Sequence, residues 1–258
     1  MQPIARSKGL RDHAVNRLGV RGVGALWRGI ALAAAFAPCI APSQSIYVDL
    51  DIFFGGPTLG NGAPSPQFGA AAGTPGFWNR ILATGPGVPT ALYDTTGTLT
   101  SVTLQASGDI GTARGYNNPT LSGDYRLLMA DVADLSPAGV YTFRGLANGT
   151  YGVYVYTVNP FPELQPVQIS VTGASAPNPQ IVSGPIPVNR FELGVTHSRH
   201  VAQVSQGTMS ISVEALESVA ASVNGIQLVL VPEPSGGILL ILSFFAIRSL
   251  RCRKPTKP

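Results

Sequence analysis

Charge is scarce in this sequence. Asp, Glu, Lys and Arg together make up 12% of its 258 residues, about half the usual share. That excludes a coiled coil, a charged helical bundle and a charged disordered tail. Cysteine is almost absent: Cys39 and Cys252 lie near the two ends, so no disulfide can staple the residues between them. No uninterrupted apolar run approaches the roughly 20 residues that a membrane-spanning helix needs. Histidine is limited to three residues, which leaves few imidazoles for metal or acid–base chemistry. Lysine is missing between residues 44 and 247. That stretch has a net charge of −6, while residues 1–43 and 248–258 each have +5. The basic pI therefore belongs to the ends, and the mildly acidic middle is a poor candidate for binding a polyanion, so no nucleic-acid partner is expected.

Glycine (30 residues) and proline (22) are plentiful instead, and they punctuate short β-type runs. Ile46, Val48, Leu50 and Ile52 alternate with Tyr47, Asp49, Asp51 and Phe53, which predicts a half-buried strand. Further strands are expected over 99–106, 125–131, 139–146, 151–158, 166–172, 186–193, 199–206, 208–214 and 221–231. Asn148-Gly149 predicts a hairpin between two of them. A short helix or 3₁₀ turn is expected within 68–82. About ten short strands without helical periodicity predict an all-β fold, a single jelly-roll-like β-sandwich over 46–231. Its first and last strands should lie together, with a bulge or bend at Asn224-Gly225.

The ends read as addresses. Arg6, Lys8, Arg11, Arg17, Arg21 and Arg28 precede the apolar run 29–37, and small residues and prolines follow. This is the order of a secretory signal peptide over 1–45, with cleavage expected between Ala37 and Ser45. Pro38 before Cys39 argues against a lipobox. At the other end, Pro232-Glu233-Pro234 precedes an apolar run over 235–247 and a basic stop of Arg248, Arg251, Arg253 and Lys254. As a helix, that run extends only about 20 Å, short of a hydrocarbon core of about 30 Å. It would make a short, transient anchor with the basic cluster left inside.

This order resembles the PEP-CTERM sorting signal over 232–258. The resemblance implies an exosortase-type processing enzyme as partner, transient attachment to the inner membrane, a place in the envelope or extracellular matrix, and an exopolysaccharide or biofilm context. The segments 68–81, 141–157 and 223–234 look like parts of secreted PEP-CTERM proteins. The pattern Gly145-Leu146, then Asn148-Gly149-Thr150-Tyr151, leading into a Tyr/Val-rich strand, is similar to galactose-binding-like sandwich domains.

Few residues offer chemistry. Asp49 and Asp51 share one strand face and read as an exposed pair, without the further oxygens a Ca²⁺ loop needs. His197 and His200 have no cysteine or carboxylate cluster to complete a zinc set, so no metal or cofactor is expected. Tyr154 and Tyr156 share a face and, with Trp78, are the candidate contacts for a sugar ring; cross-strand packing is the other use of those residue types. Nucleophile-elbow, zinc-protease and phosphate-loop motifs are all missing. The expectation is a non-enzymatic structural or adhesive protein, with a carbohydrate-binding module as the alternative and a glycoside hydrolase as a remoter one, since carboxylate pairs of that kind leave no spacing in a sequence.

Overall fold

The computed structural model describes residues 44–51, 61–82, 87–158, 166–217 and 220–232. Strand β1 (Ile46–Asp51) has the predicted two-residue period, with Ile46, Val48 and Leu50 in the main core. It is not half-buried, however: all six of its residues are buried. A second apolar layer covers the face that carries Tyr47, Asp49 and Asp51.

The strands that follow are β2 (Trp78–Leu82), β3 (Thr90–Tyr93), β4 (Leu99–Gly115), β5 (Asp131–Arg144), β6 (Gly149–Tyr156), β7 (Val167–Val171) and β8 (Gln180–Val182). The last four are β9 (His197–Val204), β10 (Thr208–Ala215), β11 (Ala221–Val223) and β12 (Gly225–Val231). They form two sheets. The smaller runs β2-β1-β12-β6-β9; the larger runs β3-β4-β5-β10-β7-β8, with β11 on the end of β5. Inward residues of both sheets, among them Val48, Phe143, Tyr151, Val153, Ile211 and Leu228, make one core, as face-to-face sheet packing requires. The body is an all-β sandwich.

β1 pairs antiparallel with β12, so the first and last strands are neighbours as expected. The bend at Asn224 is a switch between sheets: β11 before it pairs with β5 in the larger sheet, and β12 after it pairs with β1 and β6 in the smaller. Asn224 fixes the switch. Its side-chain amide donates to Asp131 O at 2.7 Å, and its Oδ1 accepts from Val158 N at 2.6 Å.

Three expectations are corrected. Residues 125–131 were expected as a strand, but Gly123–Met129 forms the helix α1. Leu128 and Met129 bury against the second apolar layer, and Ser65 donates from both N and Oγ to Asp124 in the first turn, each at 2.7 Å. The negative side chain suits that end of a helix. Residues 186–193 form no strand; Pro185 and Pro187 remove ladder donors there, and Phe191 serves as part of the covering layer. Asn148-Gly149 is not a hairpin, because β5 and β6 lie in different sheets. It belongs to a crossover lying beside a second one, from β9 to β10, with Leu146 N donating to Gly207 O at 3.0 Å and Gly207 N to Asn148 Oδ1 at 3.2 Å.

Candidate functional site

The outer face of the smaller sheet holds most of the aromatic residues singled out in the sequence. Residues 63–71, α1 and the segment around Ile186 and Phe191 cover it. Tyr156 is fully buried there; its hydroxyl accepts from Ala71 N at 2.8 Å and donates to Gln227 Oε1. Trp78 is 2% exposed and donates its indole N–H to Phe68 O at 3.0 Å. Tyr47 packs on Trp78 at 5.2 Å between ring centroids. Burial removes Tyr156 from the surface a ligand can touch, whereas Trp78, although 2% exposed, also borders the groove at the β2–β3 edge. Tyr154 is half-buried, with the Arg199 guanidinium 5.8 Å from its ring centroid.

His197 and His200 are an odd number of residues apart on β9, so they point to opposite faces. His197 lies in the covered aromatic layer 5.7 Å from Tyr156, and burial followed by the charge of Arg199 pushes its pKa down to about 4. Burial also lowers His200, whose two ring nitrogens find no partner. The pair cannot share a metal ion. Among the described residues, no group of three or more His, Cys, Asp or Glu side chains is placed to hold one.

The open site lies at one edge of the sandwich, where β2 of the smaller sheet meets β3 of the larger. Asn79 joins the two edges: its side-chain amide donates to Tyr47 O at 2.9 Å and Tyr93 O at 2.7 Å, and its Oδ1 accepts from Tyr93 N at 2.7 Å. Beside this join is a groove of about 520 Å³ walled by Pro64, Pro66, Phe77, Arg80, Ile81 and Tyr93. The rings of Phe77 and Tyr93 stand 5.5 Å apart and tilted by 54°, and Tyr93 is 42% exposed. Among the described residues, no Asp or Glu lines the groove. A second pocket, about 300 Å³, lies beside Arg199 and His200 without any Phe, Tyr or Trp.

Arg80 reaches from the groove into the sheet. Its guanidinium donates to Asn61 Oδ1 at 2.6 Å, and its Nε bonds Asp51. Asp51 also accepts from Gly62 N at 2.9 Å. Asp49, Asp51 and Asp131 are all fully buried, which corrects the expectation of an exposed strand face. Burial, then the neighbouring Asp51, raises Asp49 well above the carboxylate range against the pull of Arg80. Burial, then Asp49 and Asp51, pushes Asp131 up to about 12.

Sequence reasoning missed Phe77, Tyr93, Arg80 and Asp131. Phe77 and Tyr93 come from separate segments, so no spacing links them. Of the sorting motif, Pro232 is exposed just after β12. Glu233, Pro234, Arg248, Arg251, Arg253 and Lys254 lie outside the described residues, as do residues 1–43. Among the described residues, no helix is long and apolar enough to cross a membrane.

No protein-family model matches the sequence, and no curated relative matches it. Among solved structures it is similar to a chain from the plant peptide RALF23 in complex with FER and LLG2, at 14% identity and TM-score 0.38, over 75% of this chain and 41% of that one. It is also similar to a family 35 carbohydrate binding module from Clostridium thermocellum, at 14% identity and TM-score 0.30, over 55% of this chain and 98% of that one. A third is the Bacteroides uniformis β-glucuronidase, at 14% identity and TM-score 0.38, over 73% of this chain but 18% of the enzyme. Likeness at this level assigns no function.

Proposed function

We propose that this chain is an exported, non-catalytic envelope protein that adheres to glycan through the groove between β2 and β3. The observation that carries the reading is the tilted ring pair of Phe77 and Tyr93 on an open groove that also offers Arg80. Aromatic faces stack on the apolar faces of sugar rings, and a guanidinium donates to hydroxyl or carboxylate oxygens. A groove without carboxylates supports holding a sugar over cleaving it, because glycoside hydrolysis uses a carboxylate pair. Export by the N-terminal signal and sorting through Pro232-Glu233-Pro234 by an exosortase-type enzyme complete the proposal, with exopolysaccharide as the glycan.

Affinity electrophoresis of the protein through exopolysaccharide tests the binding. The expected result is retardation that Phe77→Ala and Tyr93→Ala each weaken about fivefold or more, in line with roughly 1–3 kcal/mol for a stacked ring. Equal retardation of all three proteins would remove the groove from the proposal. Intact mass of the envelope-associated protein tests the sorting. The expected species lacks residues 248–258, and Glu233→Ala accumulates an unprocessed form.

A further inference from the structure

We infer that Asp49, Asp51 and Asp131 form a buried proton-holding lock at the meeting of the first and last strands, in which two carboxyls stay protonated and the third carries the charge that holds Arg80.

The cluster is built across both sheets. Asp49 and Asp51 lie on the outer face of β1, and Asp131 opens β5 directly after α1. Asn224 ties the two sides together: its amide donates to Asp131 O at 2.7 Å, and its own carbonyl accepts from Leu50 N at 2.9 Å. Asp49 is paired in register with Gly225, the residue after the switch between sheets. A Cβ on Gly225 would stand 2.7 Å from Leu128 Cδ1 and 2.7 Å from Val48 O, so α1 closes tightly over this place.

The donors are unequally shared. Asp51 receives Gly62 N–H and the Arg80 guanidinium. Among the described residues, the four carboxyl oxygens of Asp49 and Asp131 have no hydrogen-bond partner in another residue. The charged groups facing one another among the described residues are the three aspartates and Arg80. Three ionised carboxylates against one guanidinium would leave two uncompensated negative charges in a site closed to solvent. Neighbouring buried carboxylates do not all ionise; they take up protons instead. With Asp131 protonated, its hydroxyl is a donor, and the ionised Asp51 beside it is the acceptor it faces. Asp49 holds the second proton, and the single charge on Asp51 matches that on Arg80. The burial-driven rise of Asp49 and Asp131 agrees with this count.

The consequence is a definite sign. The unfolded chain releases both protons above about pH 4, while the fold retains them. Each retained proton makes unfolding tenfold more favourable per pH unit, so two give up to a hundredfold. The fold is therefore tightest in acid and loosens as pH rises towards the folded values. His197 and His200 act oppositely below about pH 6.5, so the window from about pH 7 to pH 9 removes the histidines, and substitution of Asp49 and Asp131 separates the cluster from Asp134, which burial also raises.

Urea unfolding of the full chain across that window, with and without millimolar CaCl₂, tests the lock. The expected result is an unfolding constant that rises about tenfold or more per pH unit. The double variant Asp49→Asn, Asp131→Asn should flatten the profile and be the more stable protein at the alkaline end. A flat wild-type profile would overturn the inference. So would a Ca²⁺-dependent gain in stability that the double variant loses, because the cluster would then hold a cation in place of protons. Infrared difference spectra of the wild type keep the inference testable if the double variant fails to fold. Two protonated-carboxyl C=O bands at neutral pH, lost on unfolding, are expected, and their absence overturns it.

Discussion

Asp94 shows how much one carboxylate can organise. Its Oδ1 accepts from Thr96 N at 2.9 Å, Thr96 Oγ1 at 2.6 Å and Thr98 N at 3.0 Å, closing the turn between β3 and β4. Burial pushes its pKa up, but the Thr96 hydroxyl and the N–H groups of Thr98 and Thr96 outweigh that and leave it below the usual value. A depressed folded value contributes stability above the unfolded pKa of about 4, and that stability is lost as pH falls through the folded value. Asp94→Ala should therefore cost about 1–3 kcal/mol at neutral pH, read as a lower urea midpoint, and the deficit should shrink in acid. An equal deficit at all pH values would mean that the carboxylate charge is not what closes the turn. Gly225→Ala should cost about 1–3 kcal/mol by overpacking, because the Val48 carbonyl that its Cβ would meet belongs to the backbone of the paired strand and cannot swing aside. That loss too is read from the urea midpoint.

Elements were legible where a pattern is local and hidden where it depends on what covers them. The alternation over Ile46–Asp51 names the core face of β1 correctly. It cannot show that residues 61–76 and α1 will return to bury the other face. The run around Tyr125, Leu128 and Met129 is too short for strand and helix to be told apart by periodicity. Its pairing of neighbours on one helical face became clear only with Ser65 and Phe68 packed beside it. The turn signal at Asn148-Gly149 is real, but a turn does not encode whether the chain doubles back in its own sheet or crosses to the other. Asn224-Gly225 was readable because a polar residue and a glycine interrupt an otherwise continuous β run. The covering role of α1 makes a prediction: Leu128→Ala should cost about 2–5 kcal/mol, like other large-to-small core changes. Calorimetry checks this as a lowered Tm, and a loss under about 0.5 kcal/mol, the size expected of an exposed position, would contradict it.

At the scale of the whole molecule, the second apolar layer decides where function can reside. It spends Tyr156 and Phe191 on packing and buries most of Trp78, so of the candidate sugar contacts Tyr154, Tyr156 and Trp78 the packing alternative holds for Tyr156, while Trp78 keeps a place on the groove's border. The groove at the β2–β3 edge was invisible there, since Phe77 and Tyr93 come together only when Asn79 joins the two sheets. The two sets of residues should therefore separate cleanly. Tyr156→Ala should lower stability by about 3–5 kcal/mol, as for a buried aromatic, whereas Phe77→Ala and Tyr93→Ala should lower glycan affinity and change stability little. The most direct measurement is the mapping of amide chemical shifts on titration with exopolysaccharide-derived oligosaccharides. The account predicts saturable shifts confined to 63–66, 77–81 and 90–93. Shifts centred on Tyr154 and Arg199, or none at saturating sugar, would contradict it.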